Sequence, residues 1–257
     1  MTYMINHPRI FCILCLVGMW AMARFGSWIR ARFKVPEQEG AENLNLVVPA
    51  TLTLLGLIIG FTFSMATTRY DQRKLFEEGE ANAIGTEWVR AELLPASETA
   101  QVHTSLLAYL DHRIAFYHVQ YGSHLAAVDS LTTQMQSQLW SEVVPQAEVK
   151  PDPVTALIVS GMNDVLNSQG YTQFSWWNRI PSTAWGLMVL IALAANFLVG
   201  YATRRSRDGK LMLWVLPVLV SIAFFLIADI DSPRGGIIRV APMDLMALSQ
   251  QLHAGSK

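Results

Sequence analysis

With 52% hydrophobic side chains, only 15% charged ones and a formal net charge of -1 over 257 residues, the chain is too apolar for an ordinary soluble domain. It also lacks the basic excess of a nucleic-acid binder, so no nucleic-acid partner is expected. Its charge lies outside four runs, 10–23, 46–68, 180–203 and 211–228, none of which contains Asp, Glu, Lys or Arg. A bilayer core takes about 20 apolar residues in helical form. The pattern therefore predicts an all-α integral membrane protein with four transmembrane helices and a helical extramembrane domain inserted between spans two and three. The expected divisions are 1–68 for spans one and two with a basic loop, 69–179 for the helical bundle, 180–230 for spans three and four, and 231–257 for a C-terminal tail.

The first run is short, and Ala21-Met22-Ala23 at its end resembles a signal-peptide cleavage site. Only Arg9 precedes it, however, whereas Arg24, Arg30, Arg32 and Lys34 follow, and basic residues there resist translocation. It reads as a membrane anchor. Cys12 and Cys15 form a C-x-x-C inside this run, with no further Cys or His nearby to complete a metal or redox site. They read as small apolar filler, and no metal or cofactor is expected.

Span two does not stop at the membrane edge. Its helical pattern continues without a breaker through Arg69-Tyr70-Asp71 to Glu80-Ala81-Asn82-Ala83-Ile84-Gly85-Thr86, which predicts a polar rod rooted in the bilayer. At 100° per residue Thr53, Gly56, Gly60, Ser64 and Thr67 fall in one narrow stripe, and Asp71, Glu78 and Gly85 extend it. Two readings compete. Gly56 and Gly60 make a G-x-x-x-G for close helix packing, or several copies of the span surround an axis, with the stripe lining a narrow pore and the acidic extension forming its mouth. Another side carries Arg69, Arg73, Glu80 and Glu87, which is either a solvated charged face or an ion-selecting or gating network in an oligomer.

Beyond the rod, apolar positions recur at helical spacing. Val102, Leu106, Leu110, Arg113 and Tyr117 share a face of a helix expected from about Ser97 to Gly122, and Leu125, Val128, Leu131, Met135, Leu139 and Val143 mark the next, ending before Pro145. Asp152 and Pro153 then cap and open a third, carrying Val154, Leu157, Ile158, Met162, Val165 and Leu166 and closing at Gly170. Trp176, Trp177 and Arg179 lead into span three as expected interfacial anchors.

No Walker loop, G-x-S-x-G, H-E-x-x-H or zinc spacing occurs, so no enzyme is expected. His112, His118 and His124 are spaced by six, which scatters them around a helix, and they read as polar surface residues. The spans also lack the midplane ionisable groups that pumps and proton-coupled transporters use, although Asn196 offers a hydrogen bond in span three. A passive path makes fewer demands.

At the end of span four Asp229 and Asp231 emerge, Pro233 stops the helix, and Gly235-Gly236 permits a sharp turn beside Arg234 and before Arg239. These carboxylates are expected either to be solvated or to pair with Arg69 or Arg73. Basic residues crowd the loop after span one and the loop holding Arg204, Arg205, Arg207 and Lys210, so the positive-inside rule makes both loops cytoplasmic. The central domain then lies outside, periplasmic or extracellular, in a multi-pass protein of the bacterial plasma membrane.

The strings Gly60-Phe61-Thr62-Phe63-Ser64, Arg69-Tyr70-Asp71, Glu80 to Thr86 and Arg90-Ala91-Glu92-Leu93-Leu94-Pro95, with the closing segment from Asp229 to Val240, resemble the bacterial bestrophin-like domain membrane proteins. The resemblance implies kinship with bestrophins, oligomeric anion channels whose second span lines the pore and whose large domain is cytoplasmic. The sidedness read from the charges departs from that arrangement, and the bestrophin pattern that would assign selectivity residues is lacking. The leading expectation is a homo-oligomeric ion channel or channel-like pore in the lipid bilayer, passing inorganic ions. The alternative is a non-conducting scaffold or sensor that binds a partner through its helical domain.

Overall fold

A computed structural model describes residues 7–33, 41–119, 122–203 and 207–255. Lys34, Arg204 and Arg205, three of the basic loop residues, lie outside them. The described residues form eight α-helices and no strand: α1 Pro8–Arg32, α2 Ala41–Ala91, α3 Ala96–His118, α4 Ser123–Val149, α5 Pro153–Trp177, α6 Ser182–Ala202, α7 Arg207–Asp231 and α8 Met243–Gly255. Four apolar stretches among them are long enough to cross a bilayer. The chain divides into two compact units, one of Met1–Thr68 with Arg179–Ile238 and one of Arg69–Asn178 with Arg239–Lys257.

In the membrane unit, α1 starts with Pro8 in its first turn, where a missing N–H costs no helical bond. It buries Phe11, Cys15, Met19, Ala23 and Gly26, one face at helical spacing. Facing it, α6 buries Trp185, Met188, Ala192, Ala195, Asn196 and Gly200. The Phe11 ring meets Trp185 edge-on at 5.1 Å and lies parallel to Phe224 of α7 at 6.4 Å. At the other end the two backbones touch. A Cβ on Gly200 would fall on the Ala23 carbonyl and 2.8 Å from its Cα, and one on Gly26 would strike the Phe197 carbonyl and sit 2.9 Å from the Tyr201 nitrogen. The close glycine contact thus joins α1 to α6, whereas Gly56 and Gly60 of α2 have nothing within 4 Å. Because backbone cannot yield as a side chain does, Gly200→Ala is expected to cost about 1–3 kcal/mol. Loss of thermal stability in detergent reads this out, with Gly56→Ala as a neutral control.

The helical unit is built on the Arg69–Ala91 part of α2. Its apolar core joins Ile84 of α2, Leu106, Tyr109, Leu110 and Phe116 of α3, Leu139 and Val143 of α4, Ile158, Met162 and Val165 of α5, and Leu245 and Leu252 of α8. Residues 239–255, expected as a tail, supply this last helix. Asp152 caps α5 as expected, its Oδ1 accepting the Thr155 N–H at 2.8 Å, and its carboxyl is held down at about 2 mainly by that bond.

Several expected boundaries shift. Helix α4 runs through Pro145 to Val149, giving up one backbone hydrogen bond rather than ending. Helix α5 passes Gly170 and continues to Trp177, because Thr172, Ser175 and Trp176 find buried partners beyond it. Trp176 accordingly packs in the core of the helical unit, 5.0 Å from Phe116 and 5.3 Å from Tyr117, while Trp177 is 72% exposed. Only the second tryptophan keeps the exposure that an interfacial anchor needs. His112, expected at the surface, is half-buried and bonded to the Val128 carbonyl and the Thr132 hydroxyl.

Candidate functional site: the two faces of α2

Helix α2 is unbroken over 51 residues. Its buried positions, Leu55, Thr62, Ala66, Arg73, Glu77, Glu80, Ile84, Glu87 and Ala91, repeat at heptad-like spacing along one side. Thr53, Gly56, Gly60 and Ser64 lie on roughly the opposite side by helical phase and are exposed, with Thr67 at the margin. Only 11% of the most apolar window of this helix is buried in the protomer. Its hydroxyls turn inward to their own helix: Thr62, Thr67 and Thr68 donate to the carbonyls four residues back at 2.7–3.1 Å. The backbone on the stripe is therefore open, and the polarity it shows is muted. Asp71 and Glu78, further along the stripe, are exposed as well.

The charged side of α2 is not solvated: Arg73, Glu77, Glu80 and Glu87 are all buried. They form a polar seam in the helical unit. Arg73 Nε donates to the Ser175 carbonyl at 3.2 Å. Glu80 and Arg113, both fully buried, are paired through Nε to Oε1 and through Nη2 to Oε2 at 3.4 Å; Thr172 Oγ1 adds a hydrogen bond to Oε2 at 2.9 Å, and the Arg113 guanidinium lies over the Phe116 ring. Burial opposes the charge on Arg113, but Glu80 outweighs it and holds the guanidinium above its ordinary value. Burial also pushes the Tyr109 and Tyr117 hydroxyls up, with Glu80 adding to the effect.

Glu77 closes the seam at the C-terminal helix. Its Oε1 accepts the backbone N–H groups of Asp244 and Leu245 at 3.1 and 3.0 Å, capping the start of α8. Burial raises its carboxyl from 4.5 to about 7 against the pull of those bonds. Glu87 is raised further, to about 8, again by burial, with Arg90 opposing and Asp164 reinforcing. A carboxyl whose folded value lies above its unfolded one gives stability that is complete below the unfolded value and lost as pH rises through the folded one. From about 4.5 up to about 7 for Glu77 and 8 for Glu87, the helical unit loses up to roughly 1.4 kcal/mol per pH unit at each group.

On the far side of α8, Ser249, His253 and Asp111 have the composition of a catalytic triad. Ser249 Oγ donates to Asp111 at 2.8 Å and lies 3.3 Å from His253 Nδ1, which is closer, 2.8 Å, to the Ser249 carbonyl, while His253 Nε2 lies 3.5 Å from Asp111. The three act as a staple between α8 and α3.

In the membrane unit, the end of α7 folds onto its own carboxylates. Asp229 accepts the N–H groups of Ile237 and Ile238, both at 2.8 Å, and Asp231 accepts that of Ile180 at 3.1 Å. A Cβ on Gly236 would meet the Asp229 carbonyl, so the turn needs glycine there. Asp229, Asp231 and Arg234 are all buried.

The spacing grouped Arg73, Glu80 and Glu87 on one side of α2 but did not show that this side is buried. The available signal was Arg113, a charge standing in an otherwise apolar helical stripe, which demands a buried acid opposite.

Four apolar spans and an all-helical second unit define a polytopic membrane protein. The chain belongs to the Bestrophin-like domain family, which it matches over residues 10–245. Its fold is that of a bacterial bestrophin homologue from Klebsiella pneumoniae, with a TM-score of 0.64 at 15% identity, covering 95% of this chain and 97% of that one. A point variant of the homologue matches with a TM-score of 0.66 at 14% identity over 95% and 97% of the two chains. No curated protein matches the sequence.

Proposed function

We propose that the chain is one subunit of a homo-oligomeric ion channel or channel-like pore in the bacterial plasma membrane, with inorganic ions as permeants. Thr53, Gly56, Gly60, Ser64 and Thr67 of α2 line its narrow part. Asp71 and Glu78 are its vestibule residues, Arg69, Asp229, Asp231 and Arg234 are further vestibule or gating candidates, and Arg73, Glu80 and Glu87 brace the rod from within. The observation that supports this reading is the position of the small polar stripe, on the side of α2 that its own protomer leaves uncovered. Spans without internal charge give a single subunit no hydrated path, so several must combine. Purified protein in planar bilayers tests it directly: discrete currents are expected, and silence across voltages, salts and pH would favour the scaffold reading.

The basic loops are cytoplasmic in this proposal, and the helical unit is periplasmic or extracellular. A lone cysteine at the exposed Ser130, with Cys12 and Cys15 replaced, is expected to react with an impermeant maleimide in intact cells. Labelling only after lysis would put the unit in the cytoplasm.

A further inference from the structure

Glu87 stands on α2 one turn before Ala91, fully buried, and neither of its carboxylate oxygens has a hydrogen-bond partner among the described residues. A Cβ on Gly161 of α5 would strike its Oε2 and also Arg90 Nη1, and Arg90 Cδ lies 3.0 Å from the same point. Any residue but glycine at 161 would push this carboxyl out. The charged groups acting on it are Arg90 on α2 and Asp164 on α5, which lie 3.9 Å from each other, Asp164 largely exposed. On α3, Val102 and Leu106 are among the buried residues, and the titratable His103, next to Val102, is engaged elsewhere, stacked on the Trp88 ring at 3.7 Å and 2.8 Å from the Trp88 carbonyl. The pore reading gives this carboxyl no permeation role.

We propose that Glu87 is a proton-operated latch between α2 and α5: protonated, it lets the two helices close at Gly161, and ionised, it parts them there. The physical reason is the missing donors. A neutral carboxyl tolerates this seat, whereas an anion needs hydrogen bonds, and it gains them only if Arg90, now beside it without a hydrogen bond, swings onto it through the Gly161 contact or water enters between the helices. Because burial lifts the group to about 8, the latch works close to neutral pH.

The test is hydrogen exchange of residues 155–168 in the full-length protein in lipid nanodiscs, corrected for the intrinsic pH dependence of exchange. Opening in the wild type is expected to rise by roughly tenfold per pH unit through the window below the folded-state value and then to level off. Glu87→Gln, neutral at every pH, is expected to remove the slope, and Glu77→Gln to leave it in place. Equal slopes in the wild type and Glu87→Gln would overturn the latch. Should Glu87→Gln not fold, infrared titration in the Glu77→Gln background decides: a protonated-carboxyl band that fades as pH rises supports the latch, and no such band in the neutral range overturns it.

Discussion

Arg113→Ala is expected to destabilise the helical unit by about 3–5 kcal/mol, because it strands the fully buried Glu80 without its counter-charge. Thr172 would be left as its one remaining side-chain donor among the contacts described above. The result would show as a large fall in the thermal midpoint of the detergent-purified protein, read by tryptophan fluorescence, since Trp176 packs beside Phe116 over which Arg113 lies. Removing both charges should be gentler than removing one. Arg113→Met with Glu80→Gln is therefore expected to recover much of the loss, leaving a neutral pair in place of an orphaned anion. A single-variant effect below about 1 kcal/mol would mean that water reaches the pair and that the seam is not a true interior.

Gly60→Leu is expected to abolish conduction while leaving the protomer as stable as before. Nothing lies within 4 Å of a Cβ at this position, so the larger side chain displaces no neighbour inside the subunit. If the stripe faces an axis, each copy adds its leucine to the same constriction, and a ring of apolar side chains closes a narrow path both by bulk and by dewetting. Phe61 is the matched control. It is 66% exposed but one residue out of phase with the stripe, so Phe61→Leu should leave currents nearly intact. Unchanged currents in Gly60→Leu would remove the stripe from the path.

Much of this architecture was legible from the distribution of charge. Four uncharged runs announced four spans, and the absence of any breaker between Met65 and Arg69 announced the continuity of α2. Asp152 followed by Pro153 marked the start of α5, because the cap and the fixed proline backbone suit a first turn whatever packs around them. Less legible was which face of a helix is buried. In α5 the apolar residues Val154 and Leu157 are exposed, while Thr155, Gly161, Ser168, Thr172 and Ser175 are buried. Hydrophobic periodicity assumes an apolar neighbour, and α5 instead meets the charged side of α2, for which small and hydroxyl-bearing residues are the complement. Gly170 misled for a related reason: a glycine costs a helix roughly 1 kcal/mol, less than the buried contacts of Thr172 and Trp176 return. The Gly26 and Gly200 contact could not be foreseen from spacing, since the two glycines lie on separate spans and no repeat within either one pairs them.

The stripe on α2 carries the account, and thiol modification of Ser64→Cys tests it most directly. In a background lacking Cys12 and Cys15, channels in a planar bilayer would be exposed to a small charged methanethiosulfonate reagent from the aqueous side. The account predicts a stepwise, irreversible fall in current for Ser64→Cys and none for Phe61→Cys. Persistent full current in Ser64→Cys, with the adduct confirmed by mass, would contradict it.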